Sequence, residues 1–136
     1  MKLEGKIRHI GVSNVSLAQL EAARRETEIV SVQNAYNIRH QWSRDVVEYC
    51  DQNNIAFIPW MPLGDGNIAW DAPDLRRIAQ KYQVKPAQIA LAALLKTSPV
   101  ILPIPGTGSL DHLRENVAAG QVLLDEEDLT VLGGNN

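Results

Sequence analysis

The residues best suited to hold a ligand in this 136-residue chain are small, amide-bearing or aromatic, and each group follows a short apolar run. Ser13 and Asn14 close one run, Gln33 and Asn34 a second, Trp60 a third, and Gly106-Thr107-Gly108-Ser109 a fourth. The last group is the most explicit. Gly106 and Gly108 lack the Cβ that would keep a ligand off the backbone. Thr107 and Ser109 add hydroxyls, and Ser109 is placed to cap a helix carrying Leu110, Leu113 and Val117 on one face. A helix start offers unpaired N–H groups and the positive end of a dipole, which suit a phosphate. A Gly-x-Gly turn alone is a weak signal, since many strand-to-helix turns of this kind bind nothing.

Acid–base and metal chemistry is less well supplied. His9, His40 and His112 are scattered, and no His-x-x-His or Cys-x-x-Cys spacing offers a metal site. His9 falls within an expected strand and is read as packed and hydrogen-bonded. His112 lies on the helix after the glycine turn, where it either reaches a phosphate or faces water. Tyr36 and Tyr82 have no evident lysine or carboxylate partner to lower a phenol pKa. Glu126-Glu127-Asp128 reads as a helix-start charge cluster that complements the dipole. No catalytic constellation is expected.

The elements that must position these groups alternate regularly. Residues 7–12 read as a first strand, 29–32 as a second, 55–58 as a third and 100–104 as a fourth. Ser16 caps a helix through Leu17, Leu20 and Ala23 to Arg24-Arg25, whose charges suit a helix end. Ser43 starts another with Val46, Val47 and Cys50 facing inward, stopped by Asn53-Asn54. Residues 63–73, rich in Gly and Asp, read as a surface loop. Leu75, Ile78, Ala79 and Tyr82 form one helical stripe, and Pro86 opens a further helix with Ile89, Ala90, Ala93 and Leu94. Asp125 caps a short last helix holding Leu129 and Leu132, ended by Gly133-Gly134. Four strand–helix units in this order predict an α/β fold with a parallel sheet and flanking helices over a single domain, residues 1–136. In such folds ligands bind beyond the carboxyl ends of the strands. The four strand ends together would make a site for a nucleotide-like ligand. The plainer alternative is that Ser13 and Asn14 turn the chain and Trp60 packs under a loop.

Composition narrows the partners. Apolar residues make up 45% of the chain and the formal net charge is −3, so no basic stripe for nucleic acid is present. Cys50 is the single cysteine, which excludes an internal disulfide and fits a reducing compartment. No segment has signal-peptide or membrane-spanning character. A cytoplasmic location, with no membrane or nucleic-acid partner, is the expectation.

Five motifs in order, GKIRHIGVSN, VQNAYN, IPWMPLG, PAQIALAALL and LPIPGTGSLDHLREN, resemble the carboxyl-terminal half of an aldo/keto reductase. That resemblance implies half of a TIM (β/α)8 barrel, strands five to eight. It also implies roles for particular residues. Ser13, Asn14 and Gln33 would hold the nicotinamide carboxamide, and Trp60 would stack on the nicotinamide ring. Pro62, Leu63 and Gly64 match the loop beside the pyrophosphate. Gly106, Thr107, Gly108, Ser109 and His112 match the segment around the adenosine 2′-phosphate, with Glu115 and Asn116 at the adenine. Many relatives carry a basic residue at the position of Gly106 and an arginine at that of His112, so NADP(H) is implied over NAD(H) with less charge than usual.

The family's catalytic Asp, Tyr, Lys and His belong to its first half, and no residue here matches them. A whole barrel takes about 250 residues. The expectation is therefore a truncated reductase-like protein that holds NADP(H) weakly or not at all and lacks turnover alone. Two alternatives stand beside it: a self-associating structural module, and a reductase active only when paired with a separate first half. Half a barrel would expose two edges, residues 7–12 and 100–104, and a homodimer or higher oligomer through them is expected.

Overall fold

The computed structural model describes residues 1–64 and 70–133; part of the expected 63–73 loop and Gly134 of the expected helix stop lie outside these. Three short parallel strands, β1 (Gly11–Ser13), β2 (Ser31–Gln33) and β3 (Ala56–Phe57), form a sheet in the order β1-β2-β3. Register pairs Val12 with Val32 and Val32 with Phe57. Around them lie α1 (Leu17–Glu26), α2 (Arg44–Gln52), α3 (Pro73–Tyr82), α4 (Pro86–Thr97), α5 (Leu110–Ala118) and α6 (Glu126–Gly133), with a 3-10 turn at Ala119–Gln121. The α/β class and parallel sheet agree with the sequence reading.

The strand count does not. The fourth run makes one parallel bridge, Phe57 to Ile101, rather than a strand. Phe57 N donates to Val100 O and Leu102 N to Phe57 O, both at 2.8 Å. The next rung would need a donor at residue 59, and Pro59 has no N–H. On its other side β3 continues, because Ala56, Ile58 and Trp60 do have donors: they reach Val30, Val32 and Asn34 carbonyls at 2.8–3.0 Å. At the opposite edge β1 is also shorter than residues 7–12. Ile10 O still accepts from Val30 N, but before it the chain turns on itself through Gly5 N to Lys2 O and Lys6 N to Met1 O. His9 is accordingly exposed and outside β1, not packed within a strand. Gly11 lies close to the adjoining strand: a Cβ added there would displace the Ser31 hydroxyl and press on the Ser31 carbonyl at 3.1 Å.

Helix starts follow local chemistry. Ser16 accepts from Gln19 N while Gln19 Oε1 accepts from Ser16 N, a reciprocal box. Ser43, expected to cap α2, makes no cap bond; its Oγ instead accepts from Asn34 Nδ2 at 3.2 Å. Two buried clusters result. Leu20, Val32, Val46, Val47, Cys50 and Phe57 fill the space between sheet, α1 and α2, with Tyr36 edge-on to Phe57 at 5.8 Å. Leu75, Ile78, Ile89, Ala93, Leu124 and Leu132 join α3, α4 and α6. The α5 stripe behaves differently: Leu110, Leu113 and Val117, which share one face, are 72%, 50% and 72% exposed. Among the described residues no helix is long and apolar enough to cross a membrane.

Candidate functional site

The carboxyl ends of β1, β2 and β3 bring Ser13, Asn14, Gln33 and Trp60 together, as the strand-end argument anticipates. Ser13 pairs with Gln33 across the sheet, and its Oγ donates to Gln33 O at 2.9 Å. The next amide, Asn14 N, donates to the same carbonyl at 3.0 Å. Asn14 adopts φ +54°, a left-handed conformation that Asn tolerates better than most residues, and this turns the chain out of the sheet. Its Oδ1 accepts from Trp60 Nε1 at 2.9 Å. Trp60 itself is held through its backbone: Trp60 N donates to Asn34 O, and Trp60 O accepts from Tyr36 N.

Two buried amides form the scaffold beneath. Asn34 accepts from Val15 N at 3.1 Å and donates to Val15 O at 2.8 Å, tying the loop after β1 to the end of β2. Asn37 accepts from the N–H groups of Arg39 and His40 and donates to Met61 O at 3.2 Å. They are 5% and 2% exposed, so strand-end Asn34 serves geometry, as does Asn37, which lies outside the sequence-predicted site. An Asn two residues before an amide it can accept from is the only local signal that could have found it.

Beyond Trp60 the chain turns at Met61 (φ +56°) and at Gly64 (φ +69°), whose N–H donates to Met61 O at 2.9 Å. Here an open cleft begins, lined by Met61, Pro62, Leu63, Trp70, Ile104, Pro105 and Gly106. Leu63, Trp70 and Gly106 also line a second cleft that runs on past Lys85, Thr107, His112, Glu115 and Asn116. The groove therefore joins the β3 loop to the glycine turn. Gly106 and Gly108 have nothing within 4 Å of an added Cβ, so the turn faces open space. Ser109 Oγ accepts from His112 N at 3.4 Å, the cap the sequence implies, and Ser109 N donates to Thr107 Oγ1 at 3.1 Å. Neither Gly108 nor Ser109 lines the groove.

Of the lining residues that the sequence does not point to, among them Trp70 and Ile104, one carries a charge. Lys85, at the cap position of α4, places Nζ 2.5 Å from Glu115 Oε1. It brings a cation to the end of the groove where Gly106 supplies none. Among the described residues no acid suited to protonating a carbonyl stands with these groups. Tyr36 is buried, which raises its phenol pKa, and it lies toward α4 and α6. The Tyr49 hydroxyl accepts from Arg24 at 2.7 Å, and that of Tyr82 accepts from Asp125 N at 3.0 Å. Among the described residues no group of three or more His, Cys, Asp or Glu side chains could hold a metal ion.

A parallel α/β fold with amides and an indole at its strand ends, and a groove that runs from the β3 loop to a glycine turn at a helix start, defines the class of the molecule. Comparisons give that class its family. A model of the aldo/keto reductase family matches residues 1–133, and the chain belongs to that family. It is 44% identical over 134 residues to pyridoxine 4-dehydrogenase of Escherichia coli, covering 98% of this chain and 46% of that protein. It is also 44% identical over 127 residues to an uncharacterised oxidoreductase of Schizosaccharomyces pombe, covering 93% and 42%. The chain thus spans about half the length of the curated relatives it matches. Among solved structures, the thermostable aldo-keto reductase Tm1743 superposes with a TM-score of 0.92 at 32% identity, over 98% of this chain and 50% of that one. An aldo-keto reductase of Klebsiella pneumoniae, solved in complex with NADPH, gives 0.87 at 28% identity over 96% and 49%.

Proposed function

We propose that this chain is the NADP(H)-binding half-barrel of an aldo/keto reductase and that these 136 residues alone do not reduce a carbonyl. The observation that carries the reading is the strand-end cluster of Ser13, Asn14, Gln33 and Trp60, followed along the chain by Pro62 and Leu63, which open the groove that runs on to Thr107 and His112. The donors fit the group: the Gln33 side-chain amide and Asn14 Nδ2 have no hydrogen-bond partner among the described residues, while the glycine turn leaves room for a phosphate. Ser13, Asn14 and Gln33 would hold the carboxamide and Trp60 would lie on the ring. Pro62, Leu63 and Gly64 would flank the pyrophosphate. Gly106, Thr107 and His112 would face the 2′-phosphate, with Gly108 and Ser109 shaping the turn that holds them and Glu115 and Asn116 at the adenine. When bound, the nicotinamide supplies a hydride; this chain's residues orient it and screen one side from water. Reduction of a carbonyl also requires an acid within hydrogen-bond reach of the oxygen. None of the three tyrosines occupies the strand-end cluster, and this supports binding without turnover.

Calorimetric titration of the chain with NADPH and with 2′,5′-ADP tests this. Binding of both, with no NADPH oxidation when aldehydes are added, is the expected result. Absence of heat at millimolar ligand would remove the cofactor reading. A second reading rests on the open α5 face: the chain self-associates as a homodimer through Leu110, Leu113 and Val117. It adds an interface on a different surface and is compatible with the first.

A further inference from the structure

We infer that Trp60 is a positioning residue as well as a stacking surface: its indole N–H sets which way the Asn14 amide faces the nicotinamide. The inference rests on the NADP(H) reading and names a step within it. An Asn side chain presents an oxygen and an NH2 of nearly identical shape, and its hydrogen-bond network decides which points where. Trp60 Nε1 can only donate. Its 2.9 Å bond therefore fixes Oδ1 of Asn14 toward the indole and turns Nδ2 away from it. Nδ2 has no partner among the described residues and remains as a donor. A carboxamide needs one donor for its oxygen and an acceptor for its NH2 group, so the flip state of Asn14 decides whether it can serve the oxygen. With the opposite flip, Asn14 would offer the ligand oxygen another oxygen.

The rest of the arrangement makes this bond decisive. The Asn14 backbone is already fixed by φ +54° and by its N–H to Gln33 O, leaving the side-chain torsions as the remaining freedom. Trp60 is held by its own N–H to Asn34 O and by its carbonyl to Tyr36 N. Asn34 is in turn locked to Val15 on the loop that carries Asn14. The indole and the amide thus approach from β3 and β1 across β2, each on a restrained backbone. A phenylalanine ring at position 60 would keep a flat surface and lose the selection.

The test is a double-substitution cycle by calorimetry on the intact chain, with Trp60→Phe and Asn14→Gly, glycine being free of strain at a positive φ. Two ligands are titrated: NADPH, and 2′,5′-ADP, which lacks the nicotinamide. Trp60→Phe is expected to weaken NADPH about five- to tenfold, the effect of one neutral hydrogen bond, and to leave 2′,5′-ADP unchanged. In the Asn14→Gly background the same substitution should weaken NADPH no more than about twofold, because its route is gone. Full additivity would overturn the inference and leave stacking as the sole role. Equal loss for both ligands would also overturn it, by showing a general structural effect. A wild-type chain that binds neither ligand would overturn the cofactor reading itself. Binding by wild type with no change in Trp60→Phe would sink the positioning role alone.

Discussion

At the end of the groove beside the glycine turn, the lining lysine comes from the start of α4 and not from the turn itself. Lys85 pairs with Glu115, and both line the cleft with Thr107 and His112. Lys85 is mostly exposed, so its ion pair is weak and its ammonium can turn to a phosphate at little cost. Lys85→Met is expected to weaken NADPH about three- to tenfold while changing NADH by less than twofold, read by calorimetry with both cofactors. Equal changes for the two would show that Lys85 does not meet the 2′-phosphate. The contrast with Gly106-Thr107-Gly108 explains what was legible. A turn declares itself within a few residues, because glycine spacing and a serine cap are local. Lys85 enters the groove only because α4 packs beside α5. Asn34 shows the converse: its type was noticed, but whether its amide faces a ligand or ties two loops together is decided by Val15, which the local pattern does not place.

Helix stripes such as Leu75-Ile78-Ala79 were readable because helical periodicity is a property of one segment, whereas strand length depended on whether a neighbour had donors, as Pro59 shows. The tie between α3 and α6 belongs to neither pattern. Asp128 is fully buried and accepts from Lys81 Nζ at 2.6 Å and from Arg77 at 3.4 Å. Asp125 accepts from the same Lys81 and from Asp128 N at 2.9 Å, capping α6. From local sequence alone the acidic start of α6 reads as a dipole effect. Asp128→Ala is expected to destabilise the fold by about 1–3 kcal/mol, because charge-assisted bonds at a buried position are lost while both cations can return to water. Hydrogen bonding to Lys81 holds the Asp125 carboxyl below its ordinary pKa. For Asp74, burial raises the pKa, but Arg39 at 3.0 and 3.2 Å and the Leu75 N–H outweigh it and the value is lowered. Depressed folded-state values contribute stability above the unfolded pKa near 4, and that contribution is lost as pH falls through them. Lys81 is shifted upward by Asp125 and Asp128, so its share is present below about pH 10 and lost only in stronger alkali. Thermal melting should be flat from about pH 5 to 9 and fall below pH 4. The fall should be shallower in Asp125→Asn; an unchanged acid slope there would count against the tie.

For the molecule as a whole, element order announced the α/β class, but the number of paired strands and the covering of α5 depend on what else the chain meets. The outer edge beyond β3 is poor in donors: Ile101 N bonds Ser98 O, and Pro103 and Pro105 have no N–H. A β-ladder with another chain along residues 100–104 is therefore disfavoured, and side-chain packing by α5 carries any self-association. Leu110, Leu113 and Val117 form one row, and Pro103, Pro105 and Leu95 border a shallow groove with Leu113 and Val117. Asp111 and Arg114, both exposed, sit beside the row and carry opposite charges. A two-fold copy laid against the row thus offers each charge an opposite one at the rim and a matching apolar face at the centre. A standard interface needs about 800 Å² from each partner, so the exposed Leu102 is expected to widen the apolar surface beyond α5. We propose such a dimer, and sedimentation velocity at about 50 μM should show it as the main species. Leu113→Glu places a charge at the centre of the row and should shift the midpoint of dissociation at least tenfold upward, while NADPH affinity stays within twofold because the groove lies on another face of α5. A monodisperse monomer for the wild type, or a dimer indifferent to Leu113→Glu, would show that a second copy does not cover this face.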